Sequence, residues 1–202
     1  MRVAVAVSAP RATLQPAAGT MNGMGREIER RFLVHDPTFL SGHCGQRIVQ
    51  GYVAKEAGAI TVRVRIRGDA GYLTLKWPCR GLTRDEFEYR IPLADATRLL
   101  AEYCGGRCVH KTRFRVPFGG HVFEVDVFEG RHAGLVIAEV ELRRETERVV
   151  LPSWVGPEVT HDRRYGNFAL AQPDAARPPA DPRRPSVAVR SSRAVEAPGV
   201  PN

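Results

Sequence analysis

Sulphur is scarce in this sequence: four cysteines, Cys44, Cys79, Cys104 and Cys108, are spread over 202 residues. That density excludes a small disulfide-stapled scaffold and fits a reducing, cytoplasmic setting. Cys104, Cys108 and His110 offer three ligands at spacings that match no standard zinc motif, so free thiols are the plainer reading. No apolar run approaches the roughly 20 residues needed to cross a bilayer, which leaves no membrane helix to expect. The N-terminal VAVAV, preceded by Arg2 alone, is too short for a secretory core. Aromatics are 7% of the residues and never recur along a basic stretch, so Trp77 and Trp154 read as packing groups and not as a platform for bases. His35, His43, His121, His132 and His161 recur in no metal-ligand spacing and read as surface or loop residues.

Acid is absent where the net charge arises. The formal charge is +8, yet residues 1–26 carry three Arg and no acid, and residues 171–202 carry five Arg against three acids. The middle is nearly balanced, with 22 basic and 19 acidic residues. A duplex-binding domain concentrates positive charge on its folded part, so no specific nucleic-acid partner is expected. Residues 1–25 are set aside as a disordered leader or as the product of a start assigned upstream of Met21 or Met24, a transit peptide being the other reading of a basic, acid-free stretch. Residues 172–202, rich in Pro, Ala, Arg and Ser without apolar periodicity, read as a disordered tail. The folded domain is therefore placed at 26–171.

Within it, period-two alternation recurs in short segments separated by Gly, Pro, Asp or Asn. Eight strands are predicted: EIERRFLV, QRIVQGYVA, ITVRVRIRG, GYLTLKWP, DEFEYRIP, CVHKTRFRVPF, HVFEVDVFEG and LVIAEVELRRE. One helix breaks the pattern, LADATRLLAEY, with Leu93, Ala96, Leu99, Leu100 and Tyr103 on one side, and a second short helix is expected around 165–170. The fold class is mainly β (α+β), an eight-stranded antiparallel closed barrel with a few flanking helices, since closure also removes sheet edges.

Successive side chains alternate across a strand, so charges spaced by two share a face. Glu27, Glu29 and Arg31 share one; so do Arg63, Arg65 and Arg67; Thr74 and Lys76; Glu86 and Glu88; Lys111, Arg113 and Arg115; Glu124 and Asp126; Glu139 and Glu141. Apolar residues occupy the opposite faces. Two arrangements fit: charges outward in water, paired for at most about 1 kcal/mol each, or charges inward around a ligand of both signs, with the apolar outer surface covered by helices and loops. Segregation of acidic from basic strands weakens the first, because carboxylates can hold Mg²⁺ or Mn²⁺ while Arg and Lys hold phosphate oxygens, and the pattern alone leaves the two arrangements in balance.

Glu27, Glu29 and Arg31 in EIERRFLV resemble the E-x-E-x-K signature of CYTH-domain proteins, the triphosphate tunnel metalloenzymes. The resemblance continues through QGY (50–52), RVR (63–65), LTLK (73–76), EFEY (86–89), KTRF (111–114), EVDVF (124–128) and AEVEL (138–142), and ends on Thr160, Asp162, Tyr165 and Asn167. It covers residues 27 to about 170, and the ordered set is highly specific. It implies that Arg63, Arg65, Lys76, Lys111 and Arg113 clasp a triphosphate and that Glu29, Glu139 and Glu141 hold Mg²⁺ or Mn²⁺. Glu27, Glu29 and Arg31 are then the catalytic set, Glu86, Glu88, Glu124 and Asp126 complete the acidic lining, and Asp162 and Tyr165 belong to the closing segment. One departure stands out: Arg31 takes the place of the signature lysine and stays protonated, so positioning water is within its reach and deprotonating it is not. The implied activity is metal-dependent hydrolysis of a small-molecule triphosphate or polyphosphate by a monomer or homodimer. Cyclisation of ATP, as in class IV adenylate cyclases, and non-catalytic polyphosphate binding are the alternatives.

Overall fold

The computed structural model describes residues 25–54, 60–78 and 83–179; the readings made for residues 1–24, for Cys79 and for 180–202 lie outside them. The elements run β1 (Gly25–Val34), β2 (Gln46–Ala54), β3 (Thr61–Arg67), β4 (Ala70–Lys76), β5 (Thr83–Ile91), α1 (Leu93–Arg98), β6 (Cys108–Phe118), β7 (His121–Phe128), β8 (Val136–Glu141), β9 (Val155–Glu158) and α2 (Asn167–Ala171). All pairings are antiparallel, in the order β5-β4-β3-β2-β6-β7-β8-β1, and a β1–β5 pairing closes the circle. The eight-stranded barrel expected from the alternation is therefore present. No described helix is long and apolar enough to cross a membrane.

A ninth strand was not legible in the sequence. β1 pairs with β5 only over 25–28, and beyond the seam Phe32 and Val34 pair with Glu158 and Val155 of β9. The segment VGPE contains Gly and Pro and has no alternation, which hides a short edge strand. β8 stops at Glu141, so the LRRE of the predicted strand lies outside it.

The barrel is inverted relative to an ordinary one, with hydrocarbon outside. Phe32, Val34, Val116, Phe123, Val125, Val136, Ala138 and Val140 are buried on the outer face under Phe39, Leu40 and Trp154. Trp154 stacks on Phe39 with centroids 4.2 Å apart and meets Phe123 edge-on at 5.5 Å. The cover is thus made mainly by loops, and on β5 it is incomplete, leaving Tyr89 51% exposed. α1 covers the start of β4: a Cβ on Gly71 would come within 2.7 Å of the Ala96 Cβ. After Arg98 the helix widens into a π-turn over Leu99–Tyr103. The wider turn breaks the 3.6-residue period, and so Tyr103, placed with Ala96 by the sequence, is exposed; Leu93, the first residue of α1, is exposed as well. The β6–β7 hairpin turns on Gly119 and Gly120, whose positive φ angles of 58° and 81° match a two-residue loop that side chains other than Gly rarely tolerate.

Candidate active site inside the barrel

The charged faces point inward. Arg63, Arg65, Lys76, Lys111, Asp126 and Glu139 are buried, and Glu27, Glu29, Arg31, Glu86, Glu88, Arg113 and Glu124 are partly buried around them. Glu141, at the end of β8, is exposed.

Pairing register explains who meets whom. Lys76 lies opposite Glu86 and Thr74 opposite Glu88, so the basic β3–β4 wall meets the acidic face of β5. Arg65 Nη2 donates to both Glu88 carboxylate oxygens at 2.9 and 2.6 Å, and Arg63 Nη2 donates to Glu86 and Glu88 at 3.1 Å each. Lys76 Nζ sits 3.2 Å from both Glu27 oxygens and 2.5 Å from Glu86 Oε2. Across the barrel Arg113 lies opposite Asp126 and donates to it at 2.6 Å through Nε and again through Nη2, to Glu139 at 2.9 Å, and to Glu124. Arg31 bridges Glu29 at 2.5 Å and Glu139 at 3.0 Å. Lys111 Nζ donates to Asp126 at 2.5 Å and to Asn167 Oδ1 at 2.9 Å.

Burial and neighbours set the protonation. Burial pushes the Lys111 ammonium down to about 8 in spite of Asp126, and burial together with neighbouring Arg63 lowers Arg65 to about 10. Burial would raise Glu27, but Lys76 and Arg84 outweigh it and hold the carboxyl well below the usual range. Glu139 is likewise held low against burial by Arg31, Arg113 and Lys111. Glu29 goes the other way: burial first, then Glu139 and Glu27, push it up. Burial, Glu27 and Glu124 raise Glu141 too.

Arg84 is the residue that sequence reasoning missed. It pairs in register with Glu27 across the β1–β5 seam, bonds to that carboxylate through Nε, and reaches Glu29 at 3.5 Å. The predicted strand begins at Asp85, two residues after the observed start at Thr83, although the parity of Glu86 and Glu88 already puts Arg84 on their face. Asp162 and Tyr165 are not brought to the lining. Asp162 caps the turn at Arg163–Tyr165 and pairs with Arg164 at the surface, and Tyr165 is buried with its hydroxyl donating to the Pro179 carbonyl at 2.8 Å. His132 corrects the surface reading of the histidines: it is 2% exposed, with Nε2 2.8 Å from the Leu170 carbonyl oxygen.

The donor set for a cation is all oxygen. Glu29 lies directly opposite Glu141, and Glu139 opposite Glu124. Among the described residues no three of these side chains are gathered in metal-holding geometry, because Glu29 and Glu139 are turned onto guanidinium groups. Glu141 has no ion-pair partner among the described residues. Crowded carboxylates, one of them without an ion-pair partner among the described residues, suit a hard dication in kind.

A closed barrel with an inward, ion-paired lining of both signs defines a class of charged-interior barrel proteins, and the comparisons agree on which. The CYTH domain model matches residues 25–170: the chain belongs to the CYTH domain family. It is 41% identical over 149 residues to an inorganic triphosphatase of Acetivibrio thermocellus, covering 74% of this chain and 95% of that protein. An inorganic triphosphatase of Nitrosomonas europaea is 39% identical over 150 residues, covering 72% and 96%. The crystal structure of the inorganic triphosphatase NE1496 superposes with a TM-score of 0.55 at 37% identity, over 73% of this chain and 95% of that one.

Proposed function

We propose that this chain is a metal-dependent triphosphatase that hydrolyses inorganic tripolyphosphate, or a nucleoside or other organic triphosphate, within the barrel. The observation that carries the reading is Arg65 Nε, a buried N–H with no hydrogen-bond partner among the described residues, on a basic wall whose Arg63, Lys76, Lys111 and Arg113 are all held by carboxylates. A buried unpaired donor costs roughly 1–3 kcal/mol, and a phosphate oxygen would satisfy it. The naming of two relatives as inorganic triphosphatases supports the same substrate class.

Arg63, Arg65, Arg113 and Lys76 would exchange their carboxylate partners for non-bridging phosphate oxygens, the guanidinium forks binding two at a time. Glu29, Glu139 and Glu141 would hold Mg²⁺ or Mn²⁺, and what that ion supplies when bound is charge neutralisation at the phosphoryl oxygens and a more acidic water. Arg31 orients water beside Glu29 and stays protonated, since Glu139 and Glu29 raise its already high pKa against burial. The water oxygen bonds to a terminal phosphorus and the bond to the bridging oxygen breaks. Its electron pair leaves on the shortened chain, and the water proton passes to solvent. Loss of both charge and geometry is avoided because the positions are fixed by strands.

Phosphate release from tripolyphosphate by the purified chain, with Mg²⁺ or Mn²⁺ and then with EDTA, tests the reading. Release that depends on the metal supports it; cyclic AMP and pyrophosphate as the main products from ATP would move the chain to the cyclase branch.

A further inference from the structure

On the outer face of the barrel, β2 is covered at Gly51 by sulphur. Gly51 lies opposite Cys108 in the β2–β6 pairing, and a Cβ placed on it would come within 2.7 Å of Cys104 Sγ, 2.8 Å of Cys108 Sγ and 2.9 Å of Leu100 Cδ2. The two sulphur atoms therefore sit side by side against one point of the wall. Between them the chain reverses through Gly105 and Gly106, at φ angles of 54° and 74°, successive left-handed residues that glycine adopts without strain. The Arg107 N–H closes the turn on the Cys104 carbonyl at 2.9 Å. Both are free thiols, at an approach from which an S–S bond can close with local adjustment.

The two differ in access. Cys104 is fully buried, whereas Cys108 is half-buried and lines a cavity of about 260 Å³ with His110, Glu129, Arg131 and His132. Glu129 is held by Thr112 and Arg47. The hydrogen bonds of Arg131 go to carbonyls, that of Cys108 among them, and to His132 Nε2, so its charge meets no carboxylate among the described residues. Burial raises both thiols, Cys104 to about 11, but contact with Cys104 and the guanidinium groups of Arg131 and Arg107 draw Cys108 back toward the thiolate. The sulphur that a reagent can reach is thus also the one more readily ionised.

We propose that Cys104 and Cys108 are a redox-active dithiol, in which Cys108 exchanges with a low-molecular-weight disulfide bearing carboxylates and Cys104 resolves the mixed disulfide into a bond between the two. The Cys108 thiolate attacks one sulphur of the small disulfide, whose S–S bond breaks and whose other half leaves as a thiolate and takes up a proton. Cys104 then gives its proton to solvent, bonds to the Cys108 sulphur and expels the second half. The protein is oxidised by two electrons and the small disulfide is reduced to two thiols. Arg131 supplies a cation for a carboxylate of the incoming molecule, and the buried neighbour makes the second step intramolecular. The inference is independent of the reaction inside the barrel, since both sulphurs lie on its outer face.

The test uses the full chain with Cys44→Ser and Cys79→Ser, so that this pair alone can react, and oxidised glutathione as the probe. Native incubation followed by alkylation, intact mass and peptide mapping should show the loss of two hydrogens, a Cys104–Cys108 bond and a glutathione adduct on less than about a tenth of the chains, all reversed by dithiothreitol. Adding Cys104→Ser should trap glutathione on Cys108, and adding Cys108→Ser should slow modification of buried Cys104 by about tenfold or more. The rate in the parent should rise about tenfold from pH 7 to 8, since the thiolate is the reacting form. The proposal is overturned by a parent that stays reduced while Cys44 of the unsubstituted chain takes up glutathione, by a lasting adduct in the parent, or by equal modification of Cys104 once Cys108 is replaced. Mapping of the parent reads the bond with the pair untouched, so its outcome decides even where a variant at Cys104 or Cys108 fails to fold.

Discussion

Glu27 and Glu29 are two residues apart on one strand and have opposite environments. Glu27 is held by Lys76 and Arg84, while Glu29 is pushed up by burial and by two neighbouring carboxylates and lies opposite Glu141, which has no ion-pair partner among the described residues. Replacing Glu29 or Glu141 by Gln keeps the shape and removes a charged ligand oxygen, so turnover should collapse with the melting temperature nearly unchanged. Full activity in both variants would remove the metal assignment. Arg31→Lys has a different expectation. A lysine reaches one of the two carboxylates that the guanidinium bridges, which frees the other for a cation, so kcat should be equal or higher; a large loss would show that this interior has adapted around the fork. Lys111 predicts the pH dependence. Its pKa in the free protein is lowered to about 8 by burial, and a phosphate anion favours the charged form. Above that pH binding must take up a proton, so affinity for tripolyphosphate should fall as pH rises past 8, and a flat Kd profile across that point would exclude contact with Lys111. At this scale the lining was legible because charges at period two can be read directly. The partners were not, since pairing of Arg65 with Glu88 or Arg113 with Asp126 depends on strand register, which no single segment encodes.

Among the elements, legibility followed regularity. β3, β4 and β7 alternate cleanly and were placed to within a residue or two, whereas β9 lacks alternation and α1 changes period at its π-turn. The inversion of the barrel was open from pattern alone and is decided by what covers the outer face. Phe39 and Trp154 come from loops without a motif, and no sequence signal joined Trp154 to Phe123, 31 residues earlier in the chain. Trp154→Ala should therefore act as a core truncation, costing about 3 kcal/mol and lowering the melting temperature by roughly 5–10 °C for a domain of this size. Because Trp154 packs on the outer face, KM for tripolyphosphate should be unchanged where the variant remains folded. A thermal melt with matched kinetics checks both, and an unchanged melt would mean that the outer cover contributes little to holding the strands.

For the whole molecule, the interior of the empty barrel is neutralised from within. Every basic side chain of the expected clasp has a carboxylate partner: Arg63 and Arg65 on β5, Lys76 on β1 and β5, Lys111 on β7, and Arg113 on β7 and β8. Breaking a buried pair by drawing off one partner is costly, because the other charge is left uncompensated. A triphosphate arriving alone would take the guanidinium groups and strand Glu88, Asp126 and Glu139; a dication arriving alone would take carboxylates and strand Arg31 and Arg113. Arriving together, they exchange partners with the wall and leave no charge unmatched. Metal and triphosphate should therefore bind synergistically, each tightening the other by the same factor of about tenfold or more, as linkage requires. Titration calorimetry of tripolyphosphate with and without Mg²⁺ measures that factor, after subtraction of complex formation between the two in free solution. Equal affinities would show that the ion pairs of the empty barrel persist in the bound state, and that the phosphate chain is held at the mouth and not among Arg63, Arg65 and Arg113.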